Sequence, residues 1–98
     1  MVTHIVMWNL KDEAEGGGKD RNAAIIKERL EGLVGKIEGL VSLKVGRGVM
    51  PGGYDLCLLG QYKDLDALKF YREHPLHKEV QQFVHKVITE RVSCDFED

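Results

Sequence analysis

The chain has 98 residues, which is enough for one small domain, so we treat residues 1–98 as a single unit. Charged residues make up 31% and hydrophobic residues 43%, a balance typical of globular proteins. The net charge of −2 argues against a nucleic-acid-binding protein, which would present a basic face. No run of about 18 apolar residues is present, and the sequence therefore predicts no membrane-spanning helix.

The two cysteines, Cys57 and Cys94, lie far apart in segments with strand-like composition. Such a distribution is typical of free thiols rather than of a disulfide framework or a metal site. The N-terminus lacks a basic segment followed by an apolar stretch, the pattern of a signal peptide. We therefore predict a cytoplasmic protein with no metal site and with neither a membrane nor a nucleic acid among its partners.

The first predicted element is a strand over residues 2–10, in which both alternating faces carry large apolar side chains. One face holds Val2, His4, Val6, Trp8 and Leu10, and the other holds Thr3, Ile5, Met7 and Asn9. Residues 11–18 are polar and end in three glycines, which predicts a flexible loop.

A helix is predicted from Lys19 to about Glu38, because apolar residues recur at spacings of three and four. The stripe consists of Ile26, Leu30, Leu33, Val34 and Ile37. Gly39 is a suitable helix terminator. A second strand is predicted over residues 40–49, with Val41, Leu43 and Val45 on one face, and a turn follows at residues 50–53.

The third predicted strand covers residues 54–62 and contains an uninterrupted apolar run at residues 56–59, as expected for a buried central strand. A helix capped by Asp64 or Asp66 follows and stops near His74, because a residue before proline avoids the helical region. Pro75 suits the first position of a new helix. The last strand is predicted over residues 87–96.

The resulting order is β-α-β-β-α-β, the ferredoxin-like α+β fold, with its second helix broken in two. Two helices cover only one face of a four-stranded sheet, yet the first and third strands are apolar on both faces. A monomer rarely leaves so large an apolar patch exposed. We therefore expect a homodimer in which two sheets pack face to face.

The helix junction carries the candidate site. His77 falls in the first turn of the helix that begins at Pro75, where the positive end of the helix dipole disfavours an imidazolium. A neutral imidazole can accept a proton, and the phenol of Tyr71 lies six positions earlier. Spacing alone leaves open the commoner alternative, in which such side chains only cap backbone groups or fill the edge of the core.

His4 on the first strand can reach the same space between the sheet and the broken helix. A histidine on a buried strand face is more often a core residue than a catalyst, because buried polar groups normally find partners. Trp8 and Phe83 would line the space, although Trp8 also suits an ordinary core position. His85 falls on the exposed face of its helix and receives no role.

The residues 4–8 with 10–12, the Gly53-Tyr54 turn and the segment from Tyr71 to His77 together resemble the stress-responsive dimeric α/β-barrel (Dabb) family over essentially the whole chain. The resemblance implies a homodimeric α/β barrel. Its members include an enzyme of the olivetolic acid cyclase type, which closes a polyketide by a cofactor-free aldol condensation. The active-site tyrosine of that cyclase matches Tyr71 in this resemblance, and two of its active-site histidines match His77 and, on the first strand, His4.

Leu56 stands where that cyclase has another active-site histidine, so this chain departs from its pattern. The resemblance leaves two hypotheses. The first is a stress-associated homodimer that binds a small apolar ligand through Trp8, His74, Leu56 and Phe83. The second is a cofactor-independent lyase, cyclase or isomerase acting on a polyketide-like ligand, with His77 as base, Tyr71 as oxyanion donor and His4 nearby.

Overall fold

The structure is a computed structural model that describes all 98 residues. The strands are β1 (Val2–Leu10), β2 (Glu13–Ala14), β3 (Gly17–Gly18), β4 (Leu40–Arg47), β5 (Leu56–Tyr62) and β6 (Ile88–Glu97). The helices are α1 (Lys19–Glu31), α2 (Leu65–Glu73) and α3 (Pro75–Val87). None of these helices is long and apolar enough to cross a membrane.

Four strands form one antiparallel sheet in the order β4-β5-β1-β6. The two central strands, β1 and β5, are those with apolar side chains on both faces, as the sequence predicts. All three helices pack on one side of this sheet. The predicted ferredoxin-like fold with a divided second helix is confirmed.

One hydrophobic core lies between the sheet and the helices. Alternate side chains of β1 point into it, including Val2, Val6 and Trp8, and α1 adds Ile26 and Leu30. The opposite face of the sheet has no helix over it. Its side chains include Ile5, Met7, Cys57, Leu59, Val92, Cys94 and Phe96. We call this surface the open face.

Helix α1 is shorter than predicted, because it ends at Glu31 rather than near Glu38. Gly32 is its C-cap, and Gly35 and Gly39 both have φ of 87°, a left-handed conformation that breaks the helical path. The apolar spacing misled the prediction because Leu33 and Ile37 are buried even though they follow the helix.

Other boundaries also differ from the prediction. The loop over residues 11–18 contains the small hairpin β2-β3, β4 ends at Arg47, and β5 begins at Leu56. A bulge lies between Leu40 and Ser42, so Leu40 is buried and Val41 is about half exposed. The simple alternation that places Val41 on the buried face is therefore wrong.

The boundary between α2 and α3 lies at the predicted position. His74 has φ of −67° and ψ of 135°, an extended conformation, and Pro75 occupies the start of α3. The His74 ring caps the new helix, because its Nδ1 accepts a hydrogen bond from the Leu76 N–H at 3.1 Å. Of the two candidate caps of α2, Asp64 is the one that accepts the Ala67 N–H, at 2.8 Å.

Candidate functional site

A cavity opens between β1, β6 and the helices α2 and α3. The inner part of this cavity, which we call the inner cavity, has a volume of only about 30 Å³, which is room for about two water molecules. Its walls are apolar and include Val6, Trp8 and Leu58. The outer cavity has a volume of about 190 Å³ and is lined by His4, Tyr71, Arg72, His77, Gln81, His85 and Arg91. The two parts share six residues and form one continuous site.

Tyr71 and His77 lie side by side in this site, with ring centroids 4.3 Å apart. The end of α2 and the first turn of α3 bring them together across the His74-Pro75 junction. Burial raises the pKa of Tyr71 to about 12 and the nearby Tyr62 hydroxyl partly offsets this effect. The Tyr71 phenol is therefore protonated near neutral pH and can donate a hydrogen bond.

His77 is half-buried, and its Nδ1 lies 3.4 Å from the carbonyl oxygen of Arg72. Because a carbonyl can only accept, this contact places the proton on Nδ1 and leaves Nε2 as the basic nitrogen. Burial lowers the pKa of His77, and the positive charges of His4, Arg72 and Arg91 lower it further, against the opposing effect of the Arg72 carbonyl. His77 is therefore neutral near pH 7, and burial rather than the helix dipole invoked from the sequence is the main cause.

His4 is buried on β1, opposite Asp95 on β6. Its Nδ1 bonds to a carboxylate oxygen of Asp95, which fixes the ring in the orientation where Nε2 remains unengaged. Nothing local in the sequence marks Asp95 as a partner of His4. The contact depends on the register of the β1-β6 pair.

Tyr62 lies between His4 and Tyr71. Its ring centroid is 6.1 Å from that of His4 and 5.1 Å from that of Tyr71. Gly60 provides the space, because a Cβ atom there would lie 3.2 Å from the Tyr62 hydroxyl oxygen. That hydroxyl is buried beside the Tyr71 phenol, close enough to affect the pKa of Tyr71, but without the geometry of a full hydrogen bond.

The structure brings together only part of the predicted set. His4, Trp8, Tyr71 and His77 line the same cavity. Three residues expected to bind ligand, Leu56, His74 and Phe83, lie outside this cavity. Leu56 is buried beside α1 and lines a separate pocket, His74 caps α3 and packs its ring against Phe70, and half-buried Phe83 lies under the guanidinium of Arg29.

The structure adds four polar residues that the sequence prediction did not assign to the site: Arg72, Gln81, His85 and Arg91. Gln81 and His85 follow His77 at intervals of four on α3, so all three lie on one side of the helix. His85 is exposed, as predicted, but it also lines the cavity mouth. Arg91 enters from β6, opposite Trp8 of β1. The four-residue spacing was a usable signal for Gln81 and His85.

No cluster of three or more His, Cys, Asp or Glu side chains has the arrangement of a metal site. The polar groups that line the outer cavity are imidazole, phenol, guanidinium and amide groups. These groups can transfer protons, donate hydrogen bonds to a developing oxyanion and attract negative charge.

Comparison with known proteins gives consistent results. An uncharacterised protein of Streptomyces coelicolor is 33% identical over 81 residues, covering 80% of each chain. A dimeric Bacteroides fragilis protein of unknown function with a ferredoxin-like fold is 30% identical, with a TM-score of 0.88 over 99% of this chain and 95% of that one.

A hydroxynitrile lyase from Passiflora edulis shares the fold, with a TM-score of 0.82 over 97% of this chain and 90% of that one, at 14% identity. The family described as the stress responsive A/B barrel domain (Dabb) matches residues 2–98. The chain therefore belongs to the stress-responsive A/B barrel domain family.

Proposed function

We propose that this protein is a homodimeric, cofactor-independent enzyme that moves a proton next to the carbonyl group of a small compound. One observation carries the proposal: a neutral His77 and a protonated Tyr71 lie with ring centroids 4.3 Å apart in one cavity. A base and a hydrogen-bond donor in this arrangement match the two ends of an enolising carbonyl compound.

The reaction begins when Nε2 of His77 takes a proton from the carbon beside the carbonyl. The electron pair of the broken C–H bond moves to the carbonyl oxygen, and the Tyr71 hydroxyl donates a hydrogen bond to the resulting enolate. The imidazolium can return its proton to carbon, which gives exchange or isomerisation. Alternatively, the enolate carbon attacks a second carbonyl group, and the imidazolium protonates the new alkoxide, which completes an aldol cyclisation.

Hydrogen exchange tests this proposal without knowledge of the natural substrate. Levulinate and its methyl ester are small ketones, and NMR in D₂O follows the exchange of the protons beside their carbonyl. We expect the protein to accelerate exchange, and His77→Ala to lower the acceleration by about 10²–10⁴-fold, the usual contribution of a positioned base.

Lys78→Ala is the matched control, because Lys78 is the next residue on α3 and is exposed in an ion pair with Glu73. This variant should exchange both probes at the wild-type rate. Equal exchange by wild type and His77→Ala, with both proteins folded, would contradict the proposal.

A second candidate is a protein that binds a small apolar ligand without turnover. The apolar walls of the inner cavity, which include Val6, Trp8 and Leu58, support it. Mass spectrometry of the purified protein under native conditions tests this candidate, which predicts a bound neutral ligand together with no accelerated exchange.

The homodimer part of the proposal is supported by the open face. In the single chain, Leu59 is 45% exposed on the central strand β5 and Phe96 is 44% exposed on the edge strand β6. The similar Bacteroides fragilis protein is described as dimeric. Burying this face against a second copy would remove the apolar surface from water.

Light scattering at micromolar concentration tests the assembly, and we expect twice the mass of one chain. Leu59→Glu should yield monomers, because it would bury a charge in the interface. Val49→Glu is the control, since Val49 is 87% exposed in the loop after β4, outside the sheet. A monomeric wild type would contradict the dimer.

We also propose that the protein is cytoplasmic, and its two free cysteine thiols support this location.

A further inference from the structure

The outer cavity is positively charged, although the whole chain carries a net charge of −2. Arg72 and Arg91 contribute two permanent charges, and three histidines line the same space. No carboxylate lines it. Such a concentration of one sign of charge in a concave site attracts ligands of the opposite sign.

The two arginines have no acidic partner. The protein's ion pairs engage Lys19, Lys27, Arg47, Lys78 and Lys86, and none of them includes Arg72 or Arg91. The one contact of the Arg91 guanidinium is a long hydrogen bond of 3.4 Å to the Ser93 hydroxyl. Asp95, on the same strand as Arg91, is already bonded to His4.

These charges converge from different elements. Arg72 lies in the last turn of α2, and Arg91 lies on the helix side of β6. His85 faces the same mouth from the third turn of α3. Tyr71 and His77 also line the inner cavity, which Arg72 does not reach. The cavity therefore has a charged entrance and, behind it, the pair to which the proposed function assigns the chemistry.

We propose that the ligand of this cavity is a small carbonyl compound that carries an anionic group, a carboxylate or a phosphate, and that Arg72 and Arg91 hold this group at the entrance. The inference rests on the proposed function for the position of the carbonyl, which would lie against Tyr71 and His77. Guanidinium groups suit both anions, because their planar donors match two oxygens at once. The volume of about 190 Å³ limits the ligand to a metabolite of a few carbon atoms.

The electrostatics of His77 fit such a ligand. Positive charge from His4, Arg72 and Arg91 lowers the pKa of His77 in the empty site, after the larger effect of burial. An anion at the entrance would offset those charges and raise the pKa of His77. The ligand would thereby strengthen the base that acts on it.

The test compares levulinate with methyl levulinate, which differ in the carboxylate charge and its methyl cap. NMR titration measures both affinities for the wild type, Arg72→Gln, Arg91→Gln and the double variant. We expect the wild type to prefer levulinate by about tenfold or more, as charge-assisted hydrogen bonds provide. Each single variant should reduce this preference, and the double variant should bind both probes alike.

Arg47→Gln is the matched control, because Arg47 is an exposed arginine paired with Asp20 outside this cavity. It should keep the full preference. The His77 imidazole signals supply a second readout: levulinate should raise the pKa of His77 in the wild type, and methyl levulinate should not.

Equal wild-type affinities for the two probes would overturn the inference, and so would arginine variants that weaken both probes by the same factor. Displacement of levulinate by inorganic phosphate would support a phosphate-bearing ligand, and its failure at equal concentration would support a carboxylate. Exchange kinetics separate this inference from the proposed function. If the protein prefers levulinate but does not accelerate hydrogen exchange, the inferred anion site is supported and the proposed enzymatic function is contradicted.

Discussion

The two ends of β1 both carry polar side chains, but they differ in how completely these side chains are paired. At the Leu10 end, Asp55 accepts the Leu10 N–H at 2.8 Å and the Lys19 ammonium at 3.2 Å. The N–H of Asp55 in turn donates to the Asn9 side-chain oxygen at 3.1 Å. The Leu10 hydrogen bond, followed by Lys19, lowers the pKa of Asp55.

At the His4 end, the folded chain leaves several polar groups without partners. The buried Tyr62 hydroxyl lacks a well-formed hydrogen bond, and the guanidinium groups of Arg72 and Arg91 have no carboxylate partner. His77 is neutral beside them. The comparison indicates that the Asp55 end stabilises the fold, whereas the His4 end has unused capacity for a ligand.

Tyr71→Phe gives the largest expected effect that would sharpen this comparison. Loss of the oxyanion donor should raise the barrier to hydrogen exchange by about 2–4 kcal/mol, or roughly 30- to 800-fold in rate. Deuterium exchange of levulinate measures the rate. Unchanged exchange in a folded variant would show that the phenol has no part in the chemistry.

Tyr62→Phe is the matched control, since it removes a neighbouring phenol hydroxyl from the same cluster. The Tyr62 hydroxyl has no well-formed hydrogen bond in the fold, so its removal should change the free energy of unfolding by less than about 1 kcal/mol. A loss of stability above about 1 kcal/mol would indicate that this hydroxyl is engaged after all.

Asp55→Ala tests the other end of β1. It should lower the free energy of unfolding by about 1–3 kcal/mol, because the Leu10 N–H and the Lys19 ammonium lose their acceptor. Urea unfolding measures the loss. Exchange of levulinate by the folded variant should stay at the wild-type rate, because Asp55 does not line the cavity.

The effect of Asp55 should also depend on pH. The fold lowers the pKa of Asp55 below its ordinary value of 3.8. The contribution of Asp55 to the free energy of unfolding is therefore complete at pH values well above 3.8, and it is lost as the pH falls through the lowered pKa of the folded state. The difference between wild type and variant should therefore shrink in acid. Asp20→Ala, which removes a 98% exposed carboxylate paired with Arg47, is the control and should change stability little.

Pro75→Ala has the smallest expected effect. Loss of the restricted proline should lower the free energy of unfolding by about 0.4–1 kcal/mol through the unfolded chain. Levulinate binding should weaken as well, because Pro75 fixes the start of the helix that presents His77. Pro51→Ala is the control, since Pro51 lies in an exposed turn and should affect stability without affecting binding. Equal levulinate affinity of the Pro75→Ala and Pro51→Ala variants would show that the His74-Pro75 junction does not influence the site.

The sequence by itself determined the elements and part of the site. The alternation in β1 and the apolar run in β5 predicted a sheet buried at its centre, because strand periodicity depends only on local chain geometry. The His74-Pro75 break followed from the steric limits of proline. From these two features we expected that His4, Tyr71 and His77 could reach one space, and all three line the same cavity.

Only the tertiary structure decided how the chain completes that cavity. The pairing of Asp95 with His4, and of Arg91 opposite Trp8, depends on the register between β1 and β6, which are far apart in sequence. The early end of α1 is different, because Gly32 and Gly35 gave a local signal for it and the apolar spacing that continues to Leu33 and Ile37 concealed that signal. Local periodicity thus fixed which faces are apolar, and long-range strand pairing fixed which polar groups meet.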